Sequence, residues 1–491
     1  MRVVLSVRSP VVLVSFVIFC CLALLVLNIY ELRWIETEHI RYHHGNEQGH
    51  TEDTKKLDNK PIFLSYNRDV SSGHLKHVFD MFHHFGYIQG NLATDDHWDV
   101  LWAHDYPFKK LYAKLKNLKS HQMVNHFPGS GYITNKMDLA TTNIPYIPKA
   151  FKIPQQKQQL LDYVKKYPSK KFVQKSNDHR GIKIETLDTL DLKSNGSFVQ
   201  EYIDRPFLVD GYKFDIGVYT IITSVDPLRV YMYNGDILFR YCPEKYHPFD
   251  PKNLNKYVIG DDYLPTWEIP SLRKLYNEYG YSMRDSFNEY VSRAGKDPSK
   301  IWQQIEKAIE AVCLAKEPFI IKLLSSFPSK RNFFEMVRFD FVIDEDLNVY
   351  IMEANMSPNL SSAHFPPNRL LYEQVIFNLF HLVGLASKIN MTDMEVATKN
   401  VMVSASVCSS EACISCMAPQ CLLCLPCLTS DTLYSLRQAH REHTNRHECK
   451  RVFPPTMESS KNPDIKDSLS PENKLMVQWF HAKCLQDSSW C

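Results

Sequence analysis

The stretch FFEMVRFDFVIDEDLNVYIMEANMSPNLS, residues 333–361, decides the fold. Two apolar-rich runs flank residues 344–348, which are mostly turn-forming residues. Apolar runs joined by a short polar loop are typical of a β-hairpin. If the turn centres near Asp346, Asp340 on the first strand lies opposite Glu353 on the second.

This pairing of carboxylates indicates a bound cation. Facing carboxylates on adjacent strands repel each other unless a cation lies between them. Asn355, two residues after Glu353, points to the same face and adds a neutral oxygen. Two carboxylates and an amide oxygen form a hard-oxygen set that suits Mg²⁺ bridging nucleotide phosphates. We therefore predict Asp340, Glu353 and Asn355 as metal ligands, with an exposed polar hairpin face as the alternative.

The segments before the hairpin alternate between strand-like and helix-like periodicity, which predicts an α/β (α+β) fold. We expect one catalytic domain over residues 61–390. The predicted strands are 172–175, 182–185, 198–203, 214–223, 228–234, 236–241, 333–343 and 349–354, and the predicted helices are 155–167, 299–316 and 369–387.

Basic residues are concentrated in one part of the chain. The formal net charge of +2 argues against a nucleic-acid binder, but residues 149–183 hold ten Lys or Arg. Lys175 ends the segment KFVQK, and Arg180 and Gly181 follow it. We expect these residues to face phosphates, with Gly181 allowing close approach of the backbone. A solvated basic face is the alternative.

A second group of candidates would contact the base of a nucleotide. Gln200, Glu201, Tyr202 and Ile203 form an extended segment that leads towards a proline. The main-chain N–H and C=O groups of such a segment suit recognition of an adenine edge.

A third group of candidates lies on the following strands. Lys213 and Asp215, with Phe214 between them, alternate so that one cation and one anion share a strand face. Arg240 ends the segment ILFR, and its guanidinium suits a phosphate or a carboxylate. For each of these cations taken alone, a surface salt bridge is the alternative.

The first sixty residues precede this domain. Residues 11–30, VVLVSFVIFCCLALLVLNIY, carry no charge. A run of this length can cross the ~30 Å hydrocarbon layer as a helix. We expect a transmembrane anchor between a flank at 1–10 and a linker at 31–60, and hence a single-pass membrane protein. A cleaved signal peptide is the alternative, and the flanking basic residues do not settle the orientation.

The last hundred residues, 391–491, are expected to be a Cys-rich, partly disordered tail. Nine of the thirteen cysteines lie after residue 400. CxxC pairs followed by histidines can hold zinc, the cysteines can form disulfides, and cysteines beside apolar residues can be lipidated. The sequence leaves these three possibilities open.

The chain resembles the tubulin-tyrosine ligase-like family in three segments. These are VNHFPGSGYITNKMDLA at 124–140, FVQEYIDRPFLVDGYKFDIGVYTIITSVDPLRVYMYNGDILFR at 198–240, and the hairpin with its E-x-N-x-SP ending. The resemblance implies an ATP-grasp-like catalytic domain that binds ATP and Mg²⁺. It places the metal ligands on Asp340, Glu353 and Asn355, and assigns Lys213 and Arg240 to catalysis.

The family resemblance also implies an activity. ATP phosphorylates a protein carboxylate, and the amine of a free amino acid then attacks the acyl phosphate. Glutamate addition to glutamate side chains of tubulin tails is the expected reaction, with tubulin and free glutamate as partners and a cytosolic catalytic domain. The alternatives are a catalytically silent microtubule-binding adaptor held at a membrane, and a lumenal ligase with a non-tubulin acceptor.

The sequence departs from the family pattern at several positions. Family members usually carry Arg two residues after KFD, where this chain has Gly217, and Gly before the FD of the hairpin, where it has Arg338. A glycine is missing from the phosphate loop, and Asp261 and Asp262 replace a Thr and an Asn. The change at Gly217 predicts the loss of a cation near the phosphates or the amino acid.

Overall fold

The hairpin at 333–361 forms in the computed structural model, which describes residues 60–67, 73–176, 183–185, 189–386, 398–403, 408–413, 416 and 421–491. Its strands, Glu335–Ile343 and Val349–Asn355, pair antiparallel with Asp340 opposite Glu353, which confirms the predicted register. The Asp344 side chain accepts bonds from the main-chain N–H groups of Asp346 (3.0 Å) and Asn348 (2.8 Å). This side-chain-to-backbone turn closes the hairpin.

Fourteen strands are found among the described residues, and we number them in chain order. They are β1 Ile62–Tyr66, β2 Ile88–Gln89, β3 Val100–Ala103, β4 Met123–Val124, β5 Ala150–Ile153, β6 Phe172–Ser176, β7 Lys183–Glu185, β8 Ser197–Glu201, β9 Phe214–Val225, β10 Leu228–Tyr233, β11 Leu238–Tyr241, β12 Glu335–Ile343, β13 Val349–Asn355 and β14 Cys449–Phe453.

The α-helices of the described residues are likewise numbered in chain order. They are α1 Lys76–His84, α2 Tyr112–Leu115, α3 Gly131–Thr134, α4 Lys136–Ala140, α5 Lys157–Lys166, α6 Pro270–Asn277, α7 Met283–Arg293, α8 Ser299–Leu324, α9 Arg369–Val383, α10 Thr398–Val401, α11 Ser430–Thr444 and α12 Pro471–Gln486. Short 3₁₀ helices lie at Leu254–Lys256, Thr266–Glu268, Pro366–Asn368, Glu411–Cys413, Leu425–Cys427 and Ser488–Trp490.

The strands form three sheets. A parallel N-terminal sheet has the order β2-β1-β3-β4, and a small antiparallel sheet has the order β5-β8-β6-β7. The central antiparallel sheet has the order β13-β12-β9-β10-β14, and β11 pairs with the first half of β9. Strand β9 is long enough to pair with β11 and β10 in succession on one side and with β12 on the other. The central sheet therefore brings β11, β9, β12 and β13 side by side.

Two predicted helices differ from the observed ones at their C-terminal ends. Helix α8 continues past residue 316 to Leu324 although Pro318 lies inside it, and Ile320 and Leu324 in its last turns are buried. Helix α9 ends at Val383, four residues before the predicted end. Gly384 follows with φ of 86°, and its N–H donates to the carbonyl oxygen of His381. A left-handed glycine is a strong helix stop.

The predicted transmembrane helix requires a correction. No helix within the described ranges is both long and apolar enough to cross a membrane. The fold class is corrected on this point: the described chain is α/β, and it supports neither the predicted membrane contact nor the predicted single-pass localisation. Residues 11–30 themselves lie outside the described residues.

The described residues from 421 onward are built into the fold. Strand β14 pairs with β10 and completes one edge of the central sheet. Helix α11 places Glu442 against the buried side chain of Arg229 on β10, with Nε–Oε2 at 2.8 Å and Nη2–Oε1 at 3.0 Å. The irregular segment 454–470 connects β14 to α12. A boundary at residue 390 would therefore cut through the central sheet.

Disulfides account for the cysteine-rich segment. The bridges join Cys408 to Cys424, Cys413 to Cys421, Cys416 to Cys427, and Cys484 to Cys491. Among the residues that can be described, no group of three or more His, Cys, Asp or Glu could hold a metal ion. The sequence leaves zinc binding, disulfides and lipidation open for this tail, and the structure contains disulfides.

Candidate active site

Two arginines and two aspartates meet on one face of the central sheet. Arg240 donates to both oxygens of Asp215, from Nε at 2.9 Å and from Nη2 at 2.6 Å. The same Nη2 donates to Asp340 Oδ2 at 2.7 Å. Arg338 donates to Asp340 from Nε at 2.6 Å and from Nη2 at 2.9 Å. Two guanidinium groups thus neutralise two carboxylates in a continuous network.

Strand register explains why these four side chains meet. Arg240 on β11 lies opposite Asp215 on β9, and Asp340 on β12 lies opposite Gly217 on β9. Residues two apart on a strand point to the same face, so Arg338 accompanies Asp340. The predicted alternation in the KFD triplet and the predicted position of Arg240 are both consistent with this geometry.

The environment moves the pKa values of the two aspartates in opposite directions. Burial raises the pKa of Asp340, but the guanidinium groups of Arg338 and Arg240 outweigh that effect and hold it below its usual range. Burial raises the pKa of Asp215, with Asp340 adding to the rise and Arg240 opposing it. Asp340 therefore stays an anion at neutral pH.

The three predicted metal ligands converge beside this network. Asn355 Nδ2 lies 3.0 Å from Asp340 Oδ2 and 3.2 Å from Glu353 Oε1, so the amide nitrogen stands between two carboxylates. Rotating the amide by 180° would turn its oxygen towards the same point. Glu353 is one-third exposed, and Lys136 Nζ lies 3.9 Å from its Oε2.

This donor set fits a magnesium ion that is also held by phosphates. The described residues contain no cluster of three or more His, Cys, Asp or Glu ligands, and this site offers two carboxylates and one amide. Mg²⁺ commonly takes one or two carboxylates plus substrate phosphates rather than a complete protein cage. Asp340, Glu353 and Asn355 would hold the ion, although Asp340 is already shared with two arginines.

Two lysines of the predicted phosphate site are partly desolvated. Burial lowers the pKa of Lys175 to about 8, with Glu353 opposing the change, and Lys213 and Lys136 adding to it. Its Nζ donates to Gln200 Oε1 at 3.1 Å. Burial also lowers the pKa of Lys213, whose Nζ donates to the carbonyl oxygen of Tyr257 at 3.0 Å. Burial thus disfavours the charged form of both lysines, and a nearby anion would favour it.

The predicted adenine segment is already bonded within the protein at several atoms. The N–H groups of Glu201 and Tyr202 donate to the carbonyl oxygens of Lys149 and Lys171, each at 2.8 Å. Tyr202 also places its ring 5.1 Å from Lys213 Nζ. These two amides belong to the protein's own hydrogen bonding, so they are not free to recognise a base.

A second set of bonds holds side chains of the same segment. Glu201 bonds with Tyr163 and Lys170, and the hydroxyl groups of Tyr202 and Tyr246 lie 3.1 Å apart. Arg180 and Gly181 of the predicted phosphate loop lie outside the described residues.

A cavity of about 770 Å³ opens beside the charged network. Its lining includes four of the residues discussed above, namely Arg240, Arg338, Glu353 and Asn355. Lys136 and Tyr263 also line it and are not among the predicted site residues. Lys136 could have been found from the sequence, because it is the lysine of the segment 124–140 that resembles the family motif.

Comparison with known proteins agrees with this geometry. A family model described as "Tubulin-tyrosine ligase family" matches residues 113–393. The chain is 41% identical over 463 residues to "Probable tubulin polyglutamylase ttll-15" of Caenorhabditis elegans, covering 89% of this chain and 88% of that protein.

Two further relatives match over a shorter part of their length. "Tubulin polyglutamylase TTLL6" of Mus musculus is 30% identical over 55% of this chain and 34% of its own length. "Tubulin monoglutamylase TTLL4" of Mus musculus is 27% identical over 61% of this chain and 26% of its own length. The family model covers more than half of the chain, and the worm relative is matched over most of both sequences. This chain belongs to the tubulin-tyrosine ligase family.

Proposed function

We propose that this protein is an ATP-dependent ligase that adds glutamate to glutamate side chains of tubulin C-terminal tails. The observation that carries the proposal is the network of Asp215, Arg240 and Asp340, which reaches the cavity at Arg240, with Glu353 and Asn355 beside it. The names of the relatives support tubulin as the acceptor and glutamate as the added amino acid. This arrangement supports an enzyme over a silent adaptor, since charged groups with shifted pKa values that cluster beside a cavity are typical of functional sites.

The reaction would proceed in two steps. The acceptor carboxylate takes the γ-phosphoryl group of ATP, which releases ADP and leaves an acyl phosphate. The amine of free glutamate then attacks the acyl carbon, inorganic phosphate leaves, and the new amide forms after the nitrogen loses a proton. Both steps bring several negative charges into one cavity, so charge neutralisation and positioning supply most of the catalysis.

The chain's own residues can supply that neutralisation. Lys175 and Lys213 would bind phosphate oxygens, and an arriving anion would offset the burial that lowers the pKa of each lysine. Arg240 is held by Asp215, so its planar guanidinium is fixed in direction before any substrate binds. A magnesium ion held by Asp340, Glu353 and Asn355 would supply charge neutralisation between the phosphate groups.

The experiment is incorporation of labelled glutamate into purified microtubules by the full-length chain, with ATP and Mg²⁺. The test variant is Glu353→Gln, which removes one charge at the cavity and keeps the side-chain size. Glu289→Gln is the matched control, because Glu289 forms an exposed pair with Arg293 on helix α7. We expect incorporation with the parent and with Glu289→Gln, and a loss of about 100-fold or more with Glu353→Gln.

Two results would contradict the proposal. If the folded parent binds ATP but incorporates no glutamate, the proposed ligase activity on this acceptor is refuted. Equal incorporation by the parent and Glu353→Gln would refute the proposed role of the Glu353 carboxylate.

A further inference from the structure

The side chain of Arg338 fills the space in the charged network that a side chain on residue 217 would need. An ideal Cβ at Gly217 would lie 3.0 Å from Arg338 Cδ, 3.3 Å from Arg338 Nε and 3.4 Å from Asp340 Oδ1. Arg338 therefore lies directly over the bare backbone of Gly217. A side chain on residue 217 requires Arg338 to move, and the presence of Arg338 requires a very small residue at 217.

The two positions lie on neighbouring strands of the central sheet. Gly217 on β9 lies opposite Asp340 on β12, while Arg338 lies opposite Tyr219, two residues further along β9. Side chains from residues 217 and 338 thus point to the same face and meet diagonally across the strand pair. An arginine on either position would place its guanidinium beside Asp340.

We propose that these two residues are a reciprocal exchange, in which Arg338 supplies from β12 the guanidinium that the family resemblance leads us to expect on β9. The two departures seen in the sequence, Gly for Arg at 217 and Arg for Gly at 338, compensate each other. The cation that the sequence predicts to be lost is present, and it reaches the site from the adjacent strand.

The balance of charge gives this exchange a function. Asp215 and Asp340 contribute two negative charges to the network, and Arg240 and Arg338 contribute two positive charges. Without Arg338 the remaining three groups of this network would carry a net charge of −1 beside the cavity, which opposes binding of a polyphosphate. Arg338 is thus a positioning residue, which neutralises Asp340 and leaves Arg240 able to face a substrate.

The chemistry at Asp340 requires an arginine and not merely a positive charge. Nε of Arg338 bonds to Oδ1 and Nη2 bonds to Oδ2, so the planar fork engages both carboxylate oxygens. A lysine carries one ammonium group on a flexible stem and cannot reproduce this two-point contact in the same geometry.

The experiment is a double-mutant cycle in the full-length chain with the variants Gly217→Arg, Arg338→Gly and the two changes together. The two measurements are the midpoint of thermal unfolding and the affinity for ATP with Mg²⁺, neither of which needs an acceptor. The second measurement rests on the proposed use of ATP, whereas the first does not. Arg205→Gly is the matched control, since Arg205 forms an exposed pair with Glu345 on the surface.

We expect each single variant to show a lower unfolding midpoint or a weaker affinity for ATP, and the double variant to recover both. Arg338→Gly should weaken ATP binding about tenfold or more, because the network would then keep an unbalanced negative charge beside the polyphosphate. Gly217→Arg should lower the unfolding midpoint, because two arginines then compete for one space. The double variant should return close to the parent in both measurements, and Arg338→Lys should behave like Arg338→Gly.

The proposal is overturned if the double variant is no better than the worse of the two single variants. It is also overturned if Arg338→Lys matches the parent, because the fork geometry would then be unnecessary. Both measurements can still be interpreted if the ligase assay fails, because neither needs an acceptor. If the parent fails to bind ATP, the proposed function fails, and recovery of the unfolding midpoint alone decides whether the two residues are exchanged.

Discussion

Replacing Glu442 by Gln should destabilise the protein strongly, because that carboxylate joins the C-terminal part of the chain to the central sheet. Glu442 on α11 accepts two hydrogen bonds from Arg229, one from Tyr231 at 3.1 Å and one from Thr223 at 3.0 Å. The Arg229 and Glu442 side chains are each only 6% exposed. The substitution keeps the side-chain size and leaves Arg229 buried without an anion.

The magnitude follows from the burial of this pair. Breaking a buried ion pair by removing one partner costs about 3–5 kcal/mol, and we take about 3 kcal/mol because Gln retains one oxygen acceptor. The entropy of unfolding is about 2.1 cal/mol/K per residue, hence about 0.9 kcal/mol/K for roughly 430 residues. The unfolding midpoint should therefore fall by about 3 °C.

The assay is thermal unfolding followed by near-ultraviolet circular dichroism, with Glu458→Gln as the exposed control. The paired variant Arg229→Met, Glu442→Leu should recover part of the loss, since a buried pair can often be replaced by apolar residues at little cost. A shift with Glu442→Gln no larger than that of the control would refute the view that α11 is held on the sheet by this pair.

Three further predictions concern other parts of the chain. The affinity for ATP should fall roughly tenfold between pH 7 and pH 9, because the pKa of Lys175 is lowered to about 8 and only its cationic form binds phosphate. A titration of ATP binding against pH measures this dependence, and Lys175→Arg should remove it. Replacing both Cys484 and Cys491 by Ala should lower the free energy of unfolding by about 2–3 kcal/mol through the released chain entropy, and denaturant unfolding without reductant measures it; no change would show that this bridge does not constrain the unfolded chain. Gly384→Ala should cost about 1–2 kcal/mol because φ is 86° there, and an unchanged midpoint of urea unfolding would contradict the strain.

The sequence was sufficient for the features that depend on local pattern. The hairpin, its register and the convergence of Asp340, Glu353 and Asn355 follow from alternation along two adjoining strands, where the partners are about fifteen residues apart. The contact between Asp215 and Arg240 was not predicted, because β10 lies between their strands in the chain and local alternation does not give the register of β11 on β9.

Features set by strand order could not be predicted in this way. The interpretation of Gly217 as a lost cation considered one strand alone, whereas Arg338 lies over that glycine from a strand more than a hundred residues away. The contact between Arg229 and Glu442 likewise joins residues 213 apart. Local periodicity carries no information on which distant segments become neighbours.

The position of β14 has a consequence for how the protein is made. Strand β10 ends at Tyr233, and its partner β14 ends at Phe453. At ribosomal rates of about 5–20 residues per second, the roughly 220 residues between them take on the order of 10 to 40 s to emerge. During that interval one edge of a nascent sheet is exposed, and an exposed strand edge is open to pairing with other chains. Production of the protein should therefore depend on chaperones that shield this edge until translation is nearly finished.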